Sequence, residues 1–270
     1  MKNQILSLIK DTILKEARSK TLIFLFGATT LLILLANSLL KLYISEVPQT
    51  GQAVLNASSS LSIMFSIINF WSLIVSAIFG ISSIRSDFQE KIIYQYLSFP
   101  ISRTQYMFSR IFGTWLLVFG YYLYSYLLAA ILFSFASKTM ALHWTHLISM
   151  GLMGLYVLVV IFISFVYSMM ADKIPAFLLL FATIIVISAS SNSMRILEYS
   201  EYFKDLSIFK IFAIVVYCIL PRVNYVAELA SAVMFHEEIR LNLPLESLHF
   251  IVTSLAMMYF ANRFIKKKDF

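Results

Sequence analysis

The chain has 270 residues, of which 60% are hydrophobic and 13% charged, with a mean hydropathy of +0.83. A soluble domain of this length needs far more polar surface, so composition reads as an all-α polytopic membrane protein built as one unit over residues 1–270. The net charge of +7 would suggest nucleic acid on a soluble chain, but here it sits at the ends of apolar runs and implies no nucleic acid; Cys218, standing alone, excludes an internal disulfide or thiolate metal cluster.

Residues 1–20 come first. Ile5, Leu8, Ile9, Ile13 and Ala17 recur near helical spacing, with Lys10, Asp11, Lys15 and Glu16 between them, which predicts an interfacial helix over Gln4–Ala17. It serves either as a plain N-terminal anchor or as an elbow bordering a lateral opening. Runs long enough to cross about 30 Å of hydrocarbon follow at Thr21–Leu42, Leu61–Ile84, Ile111–Ala136, Thr145–Met170, Ile174–Ser190 and Leu248–Ile265, six in all. They are continuously apolar rather than alternating, which excludes a β-barrel. The first is too long for a signal-peptide core and no small-residue cleavage pattern follows it, so it is expected to be retained. Tyr43–Ser60, with Pro48, Gly51 and a Ser run, reads as an exposed outer loop. The Asn56-Ala57-Ser58 sequon within it carries no weight.

Between the second and third runs lies a charged, Pro-broken segment, Arg85–Arg110. Ser86 or Asp87 can cap a short helix whose apolar face is Ile92, Ile93, Tyr96 and Leu97. Pro100 disfavours helical geometry at Phe99, and Ser102 or Thr104 can start a second helix that runs through Arg110 into the third span. Helix–break–helix is a stiff device suited to passing on motion. Charge alone favours a plainer reading, a solvated inner loop.

The third run carries Tyr121, Tyr122, Tyr124 and Tyr126 at roughly mid-span, whereas Tyr prefers the interfaces. Tyr121, Tyr122 and Tyr126 are candidates for a substrate path or subunit seam, or else hydroxyls bonded within the bundle. His143 and His146 flank Trp144 at an outer helix start; the pair could bind a metal, but interfacial His beside Trp is the commoner case. Pro175 suits the first turn of the fifth run. The outer loop, 191–247, contains Ile208–Leu220, an apolar stretch too short for a span and ended by Pro221, Arg222 and Asn224; it reads as a re-entrant or interfacial hairpin. Ala227–Ile239 is a candidate short helix before the last span. His249, at the outer end of that span, has no obvious partner.

Lys and Arg placement sets the topology. With the N-terminus inside, Lys2, Lys10, Lys15, Arg18, Lys20, Arg85, Lys91, Arg103, Arg110, Lys173, Arg263 and Lys266–Lys268 are cytoplasmic, which puts both termini in the cytoplasm. Catalytic patterns fail. No Gly-Lys pair exists to build a phosphate-binding loop. His236-Glu237-Glu238 begins like a zinc-protease helix, but Arg240 stands where a second imidazole is required. The Ser residues within the spans lack a nucleophile elbow and read as packing groups. No ionisable group lies deep in the runs, which argues against ion-coupled transport. The chain is therefore expected not to be an enzyme, with no metal and no cofactor of its own.

Leu97-Ser98-Phe99-Pro100-Ile101-Ser102-Arg103 resembles the segment that joins spans two and three in the ABC type-2 permease family, with Asp87 matching its acidic residue. The family's Gly-Thr pair is replaced by Lys91-Ile92, and Arg110-Ile111-Phe112-Gly113 occupies the place of its Gly-Lys-x-x-Gly-like helix start. Lys15-Glu16-Ala17-Arg18-Ser19-Lys20 is similar to its basic lead-in to span one, Leu220-Pro221 to a pair in its last loop, and Lys267-Lys268-Asp269-Phe270 to its ending. The resemblance implies a six-span permease of the bacterial cytoplasmic (inner) membrane, two such chains per transporter (a homodimer or related heterodimer), and export driven by a separate cytoplasmic ATPase that carries ATP and Mg. It further implies that residues 85–110 are the coupling segment. Arg85, Asp87, Glu90, Lys91, Ser102 and Arg103 are then its polar members, and Tyr96, Leu97, Pro100 and Ile101 its apolar ones. A non-transporting membrane anchor that docks a cytoplasmic partner is the alternative. The apolar spans favour lipid-like cargo only slightly.

Overall fold

In the computed structural model the described residues, 2–46, 53–98, 101–137, 143–196, 207–236 and 243–267, form helices with no strand among them. In chain order these are α1 (Lys2–Ala17), α2 (Lys20–Glu46), α3 (Ala53–Gln89), α4 (Ile92–Ser98) and α5 (Arg103–Ser137). They continue with α6 (Trp144–Met170), α7 (Lys173–Ile196), α8 (Ile208–Ile219), α9 (Val223–Phe235) and α10 (Leu243–Lys267). Six of them (α2, α3, α5, α6, α7 and α10) contain stretches long and apolar enough to cross a membrane, consistent with a multi-pass membrane protein.

Several helices outlast the apolar runs that predict them. At 37 residues α3 is about 55 Å long, well beyond about 30 Å of hydrocarbon, so its ends stand clear of any apolar slab. Helix accordingly occupies both flanks of the loop expected at Tyr43–Ser60: α2 reaches Glu46 and α3 begins at Ala53, while residues 47–52, with Pro48 and Gly51, lie outside the described residues. Asn56 falls inside α3. Similarly, α3 runs through Ser86 and Asp87 to Gln89, so neither caps a new helix. The chain turns one step later, at Lys91, whose φ of 55° is left-handed.

The bundle centres on α6, whose buried face runs from His146 to Met169 against α3, α5 and α9. At Gly80 the backbones of α3 and α6 come so close that a Cβ would lie 2.6 Å from the Ser164 Cβ and 3.3 Å from the Ile161 Cα. By contrast α10 turns Leu248, Ile251, Leu255 and Phe260 outward, with more than half of each exposed. α2 does the same with Phe24, Leu31 and Leu35.

Side-chain bridges tie the helix ends. α1, the end of α3, α4, the start of α5, the α6–α7 turn and the end of α10 gather at one end. There Arg85 pairs with Asp172, Thr104 Oγ1 donates to Asn262 Oδ1 at 2.8 Å, and Arg103 donates to the Lys266 carbonyl at 3.2 Å. At the opposite end α8 and α9 form a pair bent by 69° around Pro221. The helix expected at Ala227–Ile239 starts earlier, at Val223, directly after that bend; residues 237–240 lie outside the described residues. α7 carries Pro175 in its first turn, where the missing N–H leaves no gap, and α10 likewise carries Pro244.

Candidate functional site

Segment 85–110 is held between two spans by local chemistry at both of its helix ends. α3 closes with the Glu90 amide donating to the Ser86 carbonyl at 2.9 Å, and Lys91 then takes the left-handed turn. On the far side Ser102 caps α5 reciprocally: the Gln105 amide donates to Ser102 Oγ at 3.2 Å and the Ser102 amide to Gln105 Oε1 at 3.0 Å. This is the S-x-x-Q capping box, which satisfies two amides that a helix start would otherwise leave orphaned. Ser102, not Thr104, therefore starts the helix. Phe99 and Pro100 lie outside the described residues, as does the Leu97 side chain.

Beneath this elbow lies a buried charge cluster. Asp87 is 0% exposed and Arg110 1%. Arg110 Nη2 stands 2.7 Å from Asp87 Oδ2, Lys15 Nζ 2.8 Å from Asp87 Oδ1, and the Tyr106 hydroxyl donates to Asp87 as well. Arg110 Nη1 also donates to Thr12 Oγ1 at 2.9 Å, and its guanidinium lies 4.9 Å from the Tyr96 ring centroid and 5.6 Å from that of Tyr106. A carboxylate removed from water is tolerable only when its lone pairs are taken and its charge is met; Lys15 and Tyr106 donate to Asp87, and the Lys15 and Arg110 charges meet its own. The cluster joins α1, α3, α4 and α5. It is completed by the Tyr96 hydroxyl, which donates to Asp11. Burial, reinforced by that bond, holds the Tyr96 phenol above its ordinary range.

α1 reaches the cluster because α5 offers it Gly113. A Cβ there would sit 2.7 Å from the Thr12 Cβ and 3.1 Å from the Ile9 carbonyl oxygen, so only glycine admits this approach. Glu16 is buried beside Lys15, Arg110, Asp87 and Lys173; loss of solvent raises its carboxyl above the usual value, partly offset by the nearby cations.

The expected coupling residues thus divide by position. Glu90 and Lys91 are exposed on the rim, with Glu90 3.7 Å from Lys15, and Ser102 is exposed at the cap. Ile101 and Arg103 are half-buried. Tyr96 faces inward over Arg110, Arg85 reaches across to Asp172, and Asp87 is sealed in. Lys15, Thr12, Tyr106 and Arg110 hold the cluster together without standing out in sequence. In sequence Arg110 reads as a basic residue at a span end and as the head of the Arg110–Gly113 match, not as a carboxylate's partner, and nothing local links Lys15 to a carboxylate 72 positions away.

The three tyrosines separate as well, although all are buried. The Tyr121 hydroxyl accepts from Trp71 Nε1 at 2.8 Å and bonds to Thr29, so it fastens α2 and α3 to α5. Tyr122 reaches Asn69 Oδ1 at 3.5 Å, while the Tyr126 hydroxyl finds no partner among the described residues. At the opposite end of the bundle another buried ion pair forms that local sequence pattern does not signal. Arg222 Nη1 donates to Glu246 Oε2 at 2.6 Å, and the Tyr217 hydroxyl donates to Glu246 Oε1 at 3.2 Å. The Arg222 guanidinium lies 3.4 Å from the Tyr217 ring centroid. His249 does have a partner, the Cys218 carbonyl at 3.1 Å. Among the described residues no group of three or more His, Cys, Asp or Glu is placed to hold a metal.

No family model matches the chain, and no curated protein matches it by sequence.

Proposed function

We propose that this chain is the membrane-spanning permease subunit of an ATP-driven ABC transporter, working as an exporter, in which the elbow between α3 and α5 receives force from a separate cytoplasmic ATPase. The observation that carries the reading is the elbow itself: a left-handed turn at Lys91, a short helix and a reciprocal cap at Ser102, braced from below by Asp87, Lys15 and Arg110. A partner that pressed on the rim at Glu90, Lys91 and Ser102 would move a rigid body rather than a loop. Because the same cluster grips α3 and α5, the push would reach two spans at once.

On this reading the α1–α4 end is cytoplasmic, in agreement with the Lys and Arg distribution, and the membrane is a bacterial inner membrane. ATP and Mg belong to the partner, and this chain performs no hydrolysis. Two copies form the transporter, lipid surrounds the outward faces of α2 and α10, and the bent α8–α9 pair is a re-entrant element of the outer leaflet.

Two measurements test this. With Cys218 replaced by Ser, a cysteine at Gln95 should resist a membrane-impermeant thiol reagent in whole cells and react in inverted vesicles; the opposite pattern would end the proposal. The full chain, reconstituted with its proposed partner ATPase, should stimulate ATP hydrolysis, and charge reversal by Lys91→Glu with Arg103→Glu should abolish that stimulation without loss of folded protein. Binding without stimulation would instead favour a membrane anchor.

A further inference from the structure

α5 and α6 carry, toward the end opposite the elbow, a group of buried polar atoms that the bundle does not pair. Among the described residues, Tyr126 OH, His146 Nε2 and Ser149 Oγ have no hydrogen-bond partner, and their residues are 3%, 4% and 0% exposed. They are neighbours. The Tyr126 and His146 ring centroids are 6.1 Å apart, and Ser149 lies one turn beyond His146 on the buried face of α6. Native proteins leave few such groups unpaired, because each carries its full desolvation cost. Tyr121, on the same helix, shows the ordinary outcome in its bonds to Trp71 and Thr29.

The chemistry of the group is specific. The His143 amide donates to His146 Nδ1 at 3.2 Å. That bond requires a lone pair on Nδ1, so the ring is neutral and its proton sits on Nε2. Three donors (Nε2–H and two hydroxyls) are therefore on offer, without a formal charge. Aromatic rings pack around the group: Phe65 stands edge-on to Tyr126 at 6.3 Å, Phe235 packs on Phe65 at 6.1 Å, and the Tyr122 ring lies 6.4 Å from that of Tyr126. The titratable groups that act on His146 are two further imidazoles, His143 and His236. Among the described residues, an anion would find no cation there, and a cation no acceptor of opposite charge.

We propose that Tyr126, His146 and Ser149 form an intramembrane binding site for an uncharged, lipid-like amphiphile, which presents an ester carbonyl or hydroxyl oxygen to the three donors and lays its apolar chain against Phe65 and Phe235. As a cargo site it rests on the permease reading; as a binding site it stands apart from it.

The test uses the full-length chain in phosphatidylcholine nanodiscs doped with a diacylglycerol that carries a photoreactive diazirine on one acyl chain. Crosslinks should map to the segments bearing Phe65, residues 122–153 and Phe235. Excess unlabelled diacylglycerol should displace them, and hexadecane, which lacks oxygen, should not. Tyr126→Phe and His146→Leu should each lower labelling there by about fivefold, the loss expected for one hydrogen bond. Labelling of the outward face of α10 should not change, and Tyr124→Phe, at a hydroxyl bonded to Thr30, should be silent. If His146→Leu does not fold, Tyr126→Phe alone decides. Labelling confined to outward faces, labelling indifferent to these substitutions, or a high-resolution nanodisc structure with water alone bridging Tyr126 and His146 would each overturn the site. Site labelling that persists while the partner ATPase never responds to the diacylglycerol would remove the cargo role and leave the site in place.

Discussion

Asp87 and Arg110 face each other at 2.7 Å with almost no exposure to solvent, and Lys15 closes the far side of the same carboxylate at 2.8 Å. The three residues come from α3, α5 and α1, so the ion pair is a joint between a span, its successor and the N-terminal helix. Removing one partner of such a pair leaves the other charge stranded at a cost of about 3–5 kcal/mol, whereas replacing both by apolar groups of similar size can be nearly neutral. Asp87→Asn is therefore expected to lower the thermal midpoint sharply in detergent or nanodiscs. The Asp87→Leu, Arg110→Met double variant should recover much of the loss, although Lys15 keeps it below wild type. Purely additive losses would show that the two side chains act independently.

Lys91 occupies a left-handed conformation with φ 55° and is exposed, so its side chain secures little in return for the strain. Glycine adopts this conformation at no steric cost, although it adds freedom to the unfolded chain. Lys91→Gly is expected to stabilise the protein by about 0.5–1 kcal/mol, and Lys91→Val, β-branched and ill-suited to positive φ, to destabilise it by at least as much. Thermal unfolding of the two variants side by side reads the sign. Destabilisation by glycine would mean that the Lys91 side chain, not its backbone, holds the turn.

Arg222 and Glu246 lock the bend between α8 and α9 to the first turn of α10, with Tyr217 stacked on the guanidinium. Glu246→Gln leaves a buried guanidinium without its counter-charge, which costs on the order of 3 kcal/mol. The effect should be local. Amide exchange should accelerate across Ile208–Phe235 and at the start of α10 while α1, α4 and the start of α5 keep their protection. Unchanged exchange in α8 and α9 would show that apolar packing alone holds the bend.

Much of this architecture is written in local pattern. The six long helices follow from runs of apolar residues, the start of α5 from Ser102 with Gln105 three positions on, the start of α7 from Pro175, and the bend after α8 from Pro221. What local pattern misses is pairing at a distance. Asp87 looks like a cap because it is a lone acid after an apolar run; only Lys15 and Arg110, brought to it by folding, explain why α3 carries it inward instead. Arg222 and Glu246 are 24 positions apart, across residues with no strong periodicity, so neither signals the other. The tyrosine stripe likewise leaves its roles open, since Tyr121 and Tyr126 differ only in what α2, α3 and α6 place opposite them.

Glu16 supplies a pH-dependent test of how α1 docks. Burial raises its carboxyl above its ordinary value of 4.5, against the pull of Lys15 and Arg110. An acid whose folded-state value is raised binds its proton more tightly in the folded chain, so the folded state carries more protons between 4.5 and the raised value. Stability contributed by this group then falls as pH rises through that window, and the penalty of the charged form is fully present above it. Glu16→Gln, which mimics the protonated acid, is expected to raise the thermal midpoint at neutral pH, and the advantage should shrink steadily as pH is lowered toward 4.5. A gain that is the same at every pH would trace to packing rather than ionisation. A loss at neutral pH would mean that attraction to Lys15, Arg110 and Lys173 outweighs desolvation, and that the charged carboxylate helps hold α1 in place.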